Sequence, residues 1–481
     1  MTRSSAPRSA AARAPRPGTT GGRAGAPLLL AGLLLTSACG GTLQQSPAAT
    51  VRPAAQASAQ ASAPASAQPS ATHSGGHTPA GSGTTAAPAA SGGPTGAPAS
   101  SPAADDPVVA LRSDLQRLLG AHVLLADEVV RGVLLDQKDL VTASSASVGR
   151  NTDQLVELIG SAAGPEAGEQ FRAPWDRHVE VLGQYATALK DGDAGAQRAA
   201  RGAYATVEQE LSRALSAVVG GKVPQADVTA AATAHGRHLL GQADAYAAKD
   251  YARAYRVQRE GFAHMFAVGD VLARGVAASK GLSTTELNTP RRDLNSALSR
   301  LLAEHMGLMV QSLRSGHDEA PDFAAAGTAL NGNTADIGGA IGTLFGPPAS
   351  KQFLGLWADH IEGLFKVARG TDDPAAQRAG RQAQVVYAPQ LARFLSGATQ
   401  ERIPAIDLAA GLTIHDDHLL GMTDAYAAED YEKSQQEDDA GYVHMVGFAS
   451  TLAVAIGDTK AEALPKGGAA TGGGGTALRD R

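Results

Sequence analysis

The sequence predicts an all-α protein made of two tandem homologous helical bundles, and three observations carry this prediction. Apolar residues recur every three or four positions from about residue 107 to residue 458, without the alternation typical of strands. The segment HGRHLLGQADAYAAKDY at 235–251 returns at 415–431 as HDDHLLGMTDAYAAEDY. Glycine, proline and aspartate interrupt both regions at corresponding places. Each copy is therefore expected to form about six helices, packed in the manner of a four-helix bundle.

The first element is predicted to be a signal peptide over residues 1–38. Five arginines precede the short apolar run APLLLAGLLLTSA, which is followed by Cys39, the single cysteine of the chain. The stretch LLLTSAC resembles the lipobox of bacterial lipoprotein precursors, with Thr36 where that family usually carries Leu. The resemblance implies that Cys39 is lipidated and anchors the protein to the outer face of the cell membrane, in the bacterial cell envelope. The alternative is an ordinary secreted protein with an unpaired cysteine.

Residues 39–105 are predicted to form a disordered, lipid-anchored tether. They consist mainly of Ala, Ser, Pro, Thr, Gly and Gln, and so contain too little apolar surface to offset the entropy of ordering. The Gly-rich segment 459–481 is predicted to be a disordered tail for the same reason. The net charge of the chain is −6 even though five arginines precede Cys39, so the remainder is acidic. A nucleic-acid partner is therefore not expected.

The two copies of the bundle are expected at 106–280 and 290–458. LLGAH in the first copy matches LLAEH in the second, FRAPWDRH matches FLGLWADH, and GFAHM matches GYVHM. Helix ends are predicted at 164–165, 191–193 and 220–221 of the first copy, and at 346–348 and 371–374 of the second.

Two apolar stripes with helical spacing in each copy contain a histidine. In the first copy they are Leu111, Leu115, Leu118, His122, Leu125 and Val129, then Phe171, Trp175, His178, Leu182 and Tyr185. In the second copy they are Leu294, Leu298, Leu301, His305 and Leu308, then Phe353, Trp357, His360, Leu364 and Val367. Such stripes are typical of the buried faces in a packed bundle.

The recurrent histidines are the candidate metal ligands. Four helices per copy each present an imidazole on the apolar side near mid-helix, so a common layer of histidines is expected in each bundle. The predicted layers consist of His122, His178, His238 and His264 in the first copy, and of His305, His360, His418 and His444 in the second. His235 and His415, one turn earlier than His238 and His418, are reserve ligands.

Two interpretations of these layers remain open at the level of sequence. One is a buried polar network, in which the imidazoles bond to neighbours such as Asn151, Asn333, Tyr246 and Tyr426. The other is a metal or haem site, since His is the commonest metal ligand and bundles hold cofactors between facing helices.

The residues near the histidines favour copper, with zinc or non-covalent haem as alternatives. The Glu-x-x-His pattern of di-iron bundles and the C-x-x-C-H pattern of covalently bound haem are both absent. All five internal methionines lie within four residues of a recurrent histidine, and thioether with imidazole suits copper. They are Met265, Met306, Met309, Met422 and Met445.

Each copy also resembles an uncharacterised group of exported bacterial helical proteins. The repeats of that group carry an inward-facing His near the start, a helix that begins with Asn, an Asp-His or Arg-His pair, a His-Leu pair and a His-Met pair near the end. The matching residues are His122, Asn151, His178, His238 and His264, then His305, Asn333, His360, His418 and His444. The resemblance implies an all-helical fold outside the cytoplasm and no particular activity.

Three classes of function follow from these observations. The first is an envelope lipoprotein that binds a metal or haem for storage, delivery or sensing. The second is a scaffold or adaptor for an envelope protein partner, with structural histidines. The third, less favoured, is a metal-dependent oxidoreductase, because no Ser-His-Asp order, paired carboxylates or phosphate-binding Gly loop was found at suitable spacing. No catalytic residue is predicted.

Overall fold

The computed structural model describes residues 106–370 and 373–463. The first copy consists of α1 (Pro107–Leu134), α2 (Lys138–Ala163), α3 (Pro165–Lys190), α4 (Ala194–Val218), α5 (Gln225–Ala247) and α6 (Tyr251–Ser279). A 3-10 helix at Thr285–Asn288 leads into the second copy. That copy consists of α7 (Pro290–His317), α8 (Phe323–Phe345), α9 (Pro347–Arg369), α10 (Pro374–Ala398), α11 (Ala405–Ala427) and α12 (Tyr431–Ala463). No strand occurs in the described ranges, so the predicted all-α fold is confirmed.

The predicted signal peptide, Cys39 and the tether lie outside the described residues, as does most of the predicted tail. The predicted start of that tail at residue 459 is wrong, because α12 continues to Ala463. The hydroxyl of Thr459 is buried and donates a hydrogen bond to the carbonyl of Thr399, 3.1 Å away. This bond attaches the last turns of α12 to the end of α10.

Local sequence explains where the helices begin and end. The carboxylate of Asp106 caps α1 by accepting hydrogen bonds from the amides of Val108 and Val109 at 2.8 and 3.2 Å. Asp193 and Asp373 cap α4 and α10 in the same way. Gly164 and Gly346 adopt φ values of 118° and 91°, which other residues rarely tolerate, and each is followed by the proline that begins the next helix.

The apolar stripes form the interior of the bundles. Phe171, Trp175, Leu182 and Tyr185 of α3 are each at most 2% exposed. Their counterparts on α9 are buried in the same way, as are most members of the α1 and α7 stripes. One cluster of buried apolar side chains extends through both copies, so the two bundles share a continuous core.

Buried ion pairs join the two copies. The guanidinium of Arg131 in α1 lies 2.9 Å from the carboxylate of Asp322, with side-chain exposures of 3% and 0%. Arg314 in α7, which follows His305 by nine residues just as Arg131 follows His122, lies 3.2 Å from Glu128 of α1. Each copy thus places a charged side chain in the interface with the other, where removal of a single partner is costly.

One helix of the described part, α12, is long and apolar enough to cross a membrane by length and composition alone, over Tyr431–Lys460. Half of its most apolar window is buried inside the protein, where α12 packs against α7 and α11. A core helix of a bundle has the same properties.

Candidate metal centre

Three histidines from three helices converge in the interior of the first copy. His122 of α1, His178 of α3 and His235 of α5 each offer a ring nitrogen, and these three atoms lie within 4.8 Å of one another. The side chains are 0–3% exposed. We call this group triad A.

Hydrogen bonding fixes which nitrogen of His178 faces the others. Its Nδ1 lies against the carbonyl oxygen of Trp175, one turn earlier on α3, and must donate to it. In the neutral ring the lone pair is therefore on Nε2, which lies 3.0 Å from Nε2 of His122. His122 therefore donates its Nε2 proton to His178. A histidine held through one N–H by a backbone carbonyl, with its other nitrogen facing further imidazoles, is the usual arrangement of a metal ligand.

The second copy builds an equivalent group, triad B, from His305 of α7, His360 of α9 and His415 of α11. Its ring nitrogens also lie within 4.8 Å of one another, and the side chains are 0–1% exposed. Nδ1 of His360 lies 2.8 Å from the amide oxygen of Gln384 and 3.2 Å from a carboxylate oxygen of Asp416. Nδ1 is therefore the donor, and Nε2 carries the lone pair.

Burial favours the uncharged form of five of the six triad histidines. Desolvation lowers the pKa of His178 to about 4, and it lowers the pKa of His122 and His235 well below 6.5. The same cause lowers the pKa of His305 and His415. Neutral imidazoles at pH 7 retain the lone pairs that metal ligation requires.

Several ring nitrogens of the triads lack a hydrogen-bond partner among the described residues. Both nitrogens of His235, His305 and His415 are unpartnered, as are Nδ1 of His122 and Nε2 of His360. Each unsatisfied buried polar group costs about 1–3 kcal/mol. Folding thus leaves these ring nitrogens unsatisfied, and a bound cation would offset the cost for those that carry a lone pair.

One tryptophan packs against each triad. The ring centroid of Trp175 lies 4.4 Å from that of His122, and the ring centroid of Trp357 lies 4.6 Å from that of His305. The chain contains two tryptophans, so each triad has its own intrinsic fluorophore.

The structure differs from the predicted layers of four histidines. His235 and His415 occupy the triads, whereas His238 and His264 form a separate pair with ring centroids 5.4 Å apart. His418 and His444 form the equivalent pair in the second copy, at 6.1 Å. The prediction placed the histidines of α6 and α12 in the same layer as those of the other helices. In the structure these two histidines pack against α5 and α11 and form the separate pairs.

The partners predicted for a polar network were also wrong. The amides of Asn151 and Asn333 donate to the carbonyls of Leu118 and Leu301, and both residues lie in mid-helix instead of initiating α2 and α8. The hydroxyls of Tyr246 and Tyr426 donate to Asp322 and Asp318. The histidine partners are instead a backbone carbonyl and a second histidine in triad A, and Gln384 with Asp416 in triad B.

Sequence comparison between the copies gave no signal for Gln384 or Asp416. The residues at the equivalent positions are Tyr204 and Gly236, so neither side chain recurs. In the first copy the space beside Gly236 is taken by the carboxylate of Glu208 from α4. The two tryptophans recur in both copies and belong to the predicted apolar stripes. Their contact with the histidines was not predicted.

Comparisons with protein families, with curated protein sequences and with solved structures find no match to this chain.

Proposed function

We propose that this protein binds transition-metal ions, one in triad A and one in triad B. The observation that carries the proposal is the convergence of three buried imidazoles from three helices in each copy, several of whose ring nitrogens have no hydrogen-bond partner among the described residues. Ring nitrogens bind zinc at 2.0–2.1 Å, so two nitrogens on one tetrahedral ion are separated by roughly 3.3 Å. The 3.0 Å between His122 and His178 is already close to this separation.

The ligand set favours a single ion over haem. The three nitrogens of a triad lie within 4.8 Å, and a tryptophan ring packs directly against them, so the space suits an ion and not a macrocycle. Imidazole suits both copper and zinc. All five internal methionines are 0–2% exposed within the apolar core, so the preference for copper rests on their chemistry and their nearness in sequence.

The burial of the triads favours binding over catalysis. Three ligands leave a fourth coordination position, but a catalytic site also needs access for a substrate, and the ligand side chains are at most 3% exposed. We propose storage, delivery or sensing of the metal by a protein anchored through Cys39 to the outer face of the cell membrane. The competing proposal, a scaffold with structural histidines, is favoured by the closed contacts of His360 with Gln384 and Asp416.

Fluorescence of the two tryptophans tests the proposal for each triad separately. In Trp357→Phe only Trp175 is left to report on triad A, and in Trp175→Phe only Trp357 reports on triad B. Titration of the metal-free protein with Cu²⁺, a strong quencher, should give saturable quenching with one equivalent per triad. His317→Ala, which removes a histidine outside both triads, is the matched control and should leave the titration unchanged. Absence of quenching in the parent proteins would leave the scaffold as the better account.

A further inference from the structure

The histidine pairs outside the triads have a geometry of their own. His238 on α5 faces His264 on α6, and His418 on α11 faces His444 on α12, with ring centroids 5.4 and 6.1 Å apart. All four side chains are partly exposed, in contrast to the buried triads. We call these groups pair A and pair B.

A glycine on the neighbouring helix brings each pair together. A Cβ atom at Gly261 of α6 would lie 3.1 Å from Cβ of His238, and one at Gly441 of α12 would lie 3.1 Å from Cβ of His418. The helices therefore approach closely at these glycines. His264 and His444 follow the glycines by three residues, on the same helix face. They therefore lie close to His238 and His418.

Hydrogen bonds leave a lone pair available within each pair. Nε2 of His264 donates to the carbonyl of Ala231 at 3.0 Å, and Nε2 of His444 donates to that of Gly411 at 2.8 Å, so Nδ1 carries the lone pair in both neutral rings. Nδ1 of His418 lies 2.9 Å from the carboxylate of Glu437 and donates to it, which leaves Nε2 free. Among the residues that the structure describes, Nδ1 of His238 is buried without a hydrogen-bond partner.

Each pair adjoins a triad through one residue of α5 or α11. His235 of triad A precedes His238 of pair A by three residues, a rise of about 4.5 Å along the helix. His238 and His264 both contribute to the lowered pKa of His235, after desolvation and the two other triad members, as expected of groups at short range. Both ring nitrogens of His235 lack a hydrogen-bond partner within the described ranges, so this ring can bind an ion through whichever one carries the lone pair. His415 has the same properties.

We propose that pairs A and B are outer metal sites through which ions enter and leave the triads, a role that rests on the proposed function of the triads. An ion first exchanges water ligands for the two imidazoles of a pair. His235 or His415 then displaces one of them, and the remaining triad histidines replace the rest. No redox step is needed. His122 shifts its ring proton from Nε2 to Nδ1 when its Nε2 binds the ion, which also frees Nε2 of His178. Three ligands hold the ion more tightly than two, so transfer inward is favourable.

This role explains the H-x-x-H spacing that occurs in both copies. The first histidine of each motif belongs to the triad and the second to the pair, on successive turns of one helix. The side chain of His418 is 23% exposed and that of its partner Glu437 is 29% exposed, so a cation in solvent meets a carboxylate at pair B. Val257 stands at the equivalent position of pair A.

The test is the rate of Cu²⁺ loading into the full, metal-stripped chain, followed by stopped-flow quenching of Trp175 in the Trp357→Phe background. His264→Gln keeps an N–H donor for the carbonyl of Ala231 but removes the imidazole. We expect the final quenching to be the same as in the parent and its rate to fall at least tenfold. Loading of triad B, measured through Trp357 in the Trp175→Phe background, should be unchanged by His264→Gln.

An unchanged loading rate of triad A would overturn the role of the pair while leaving the triad intact as a metal site. No quenching in the parent would instead overturn the proposed function itself, so the two failures are distinct. His444→Gln, measured through Trp357, repeats the test in the second copy should the first variant fold poorly. There the expected result is slow loading of triad B with normal loading of triad A.

Discussion

Replacement of a triad histidine by leucine should stabilise the metal-free protein while abolishing metal binding in that copy. His235 is 3% exposed, and both of its ring nitrogens lack hydrogen-bond partners in the described part of the chain. Two unsatisfied groups at about 1–3 kcal/mol each are relieved in His235→Leu. The variant loses ring contacts with His122, His178 and Trp175, at centroid distances of 5.4, 5.5 and 6.0 Å. Each of the three contacts contributes about 0.5–1.5 kcal/mol, and repacking costs up to about 1.5 kcal/mol. The relief is about 4 kcal/mol at mid-range and the three contacts cost about 3 kcal/mol, so the net expectation is a gain of at most about 1 kcal/mol.

Urea unfolding of the metal-free protein measures this gain as a higher midpoint with an unchanged slope. His317→Leu is the control, because His317 is partly exposed and its Nδ1 has a partner in the carbonyl of Ala368, 3.3 Å away. It should bring no gain in stability and no loss of metal binding. A His235→Leu protein destabilised by more than about 1 kcal/mol would show that the ring is held by favourable contacts, and would refute the argument that its lone pair is kept for a ligand.

Three further predictions follow from the same structure. The metal-free protein should lose stability as the pH falls from 6.5 towards 4, because the pKa of His178 is about 4 in the folded protein and 6.5 in the unfolded chain. That histidine alone contributes about 3 kcal/mol of stability, which is fully present above pH 6.5. Urea midpoints measured across this pH range give the loss of stability. Asp416→Asn should weaken metal binding in triad B about 10- to 100-fold and leave binding in triad A unchanged, as measured by the fluorescence of the two tryptophans. Asp417→Asn, at the exposed neighbouring residue, should leave metal binding in both triads unchanged. Arg131→Met should cost about 3–5 kcal/mol in urea unfolding by removing the cation beside the buried carboxylate of Asp322. A second substitution, Asp322→Asn, removes the charge but keeps an acceptor for the hydroxyls of Tyr246, Tyr255 and Ser315, and should recover part of that loss; equal stability of the single and double variants would contradict the role of this ion pair.

The fold was largely predictable because local signals agree with the packing. Apolar stripes through Trp175 and Trp357 marked the buried faces, and the breaks at Gly164-Pro165 and Gly346-Pro347 coincide with helix ends. The interface between the copies was not predicted. Arg131 and Arg314 recur at the same distance from His122 and His305, but a charged residue near a helix end usually indicates solvent, and only the packed structure pairs these with Asp322 and Glu128.

The histidines of the site were predictable as a set, but their grouping was not. His235 and His238 differ by about 60° around α5, so both satisfy the same apolar stripe. The choice between them depends on how closely α6 approaches, which is decided by the absent side chain at Gly261. Asp416 and Gln384 were not predicted, because the equivalent residues in the first copy are Gly236 and Tyr204.

Anomalous diffraction from crystals of the chain loaded with two equivalents of Cu²⁺ or Zn²⁺ tests the central claim most directly. The account predicts two strong peaks per chain, one about 2 Å from ring nitrogens of His122, His178 and His235, and one equally close to those of His305, His360 and His415. Peaks confined to the surface, with the triad nitrogens still 3 Å or more from any ion, would contradict it.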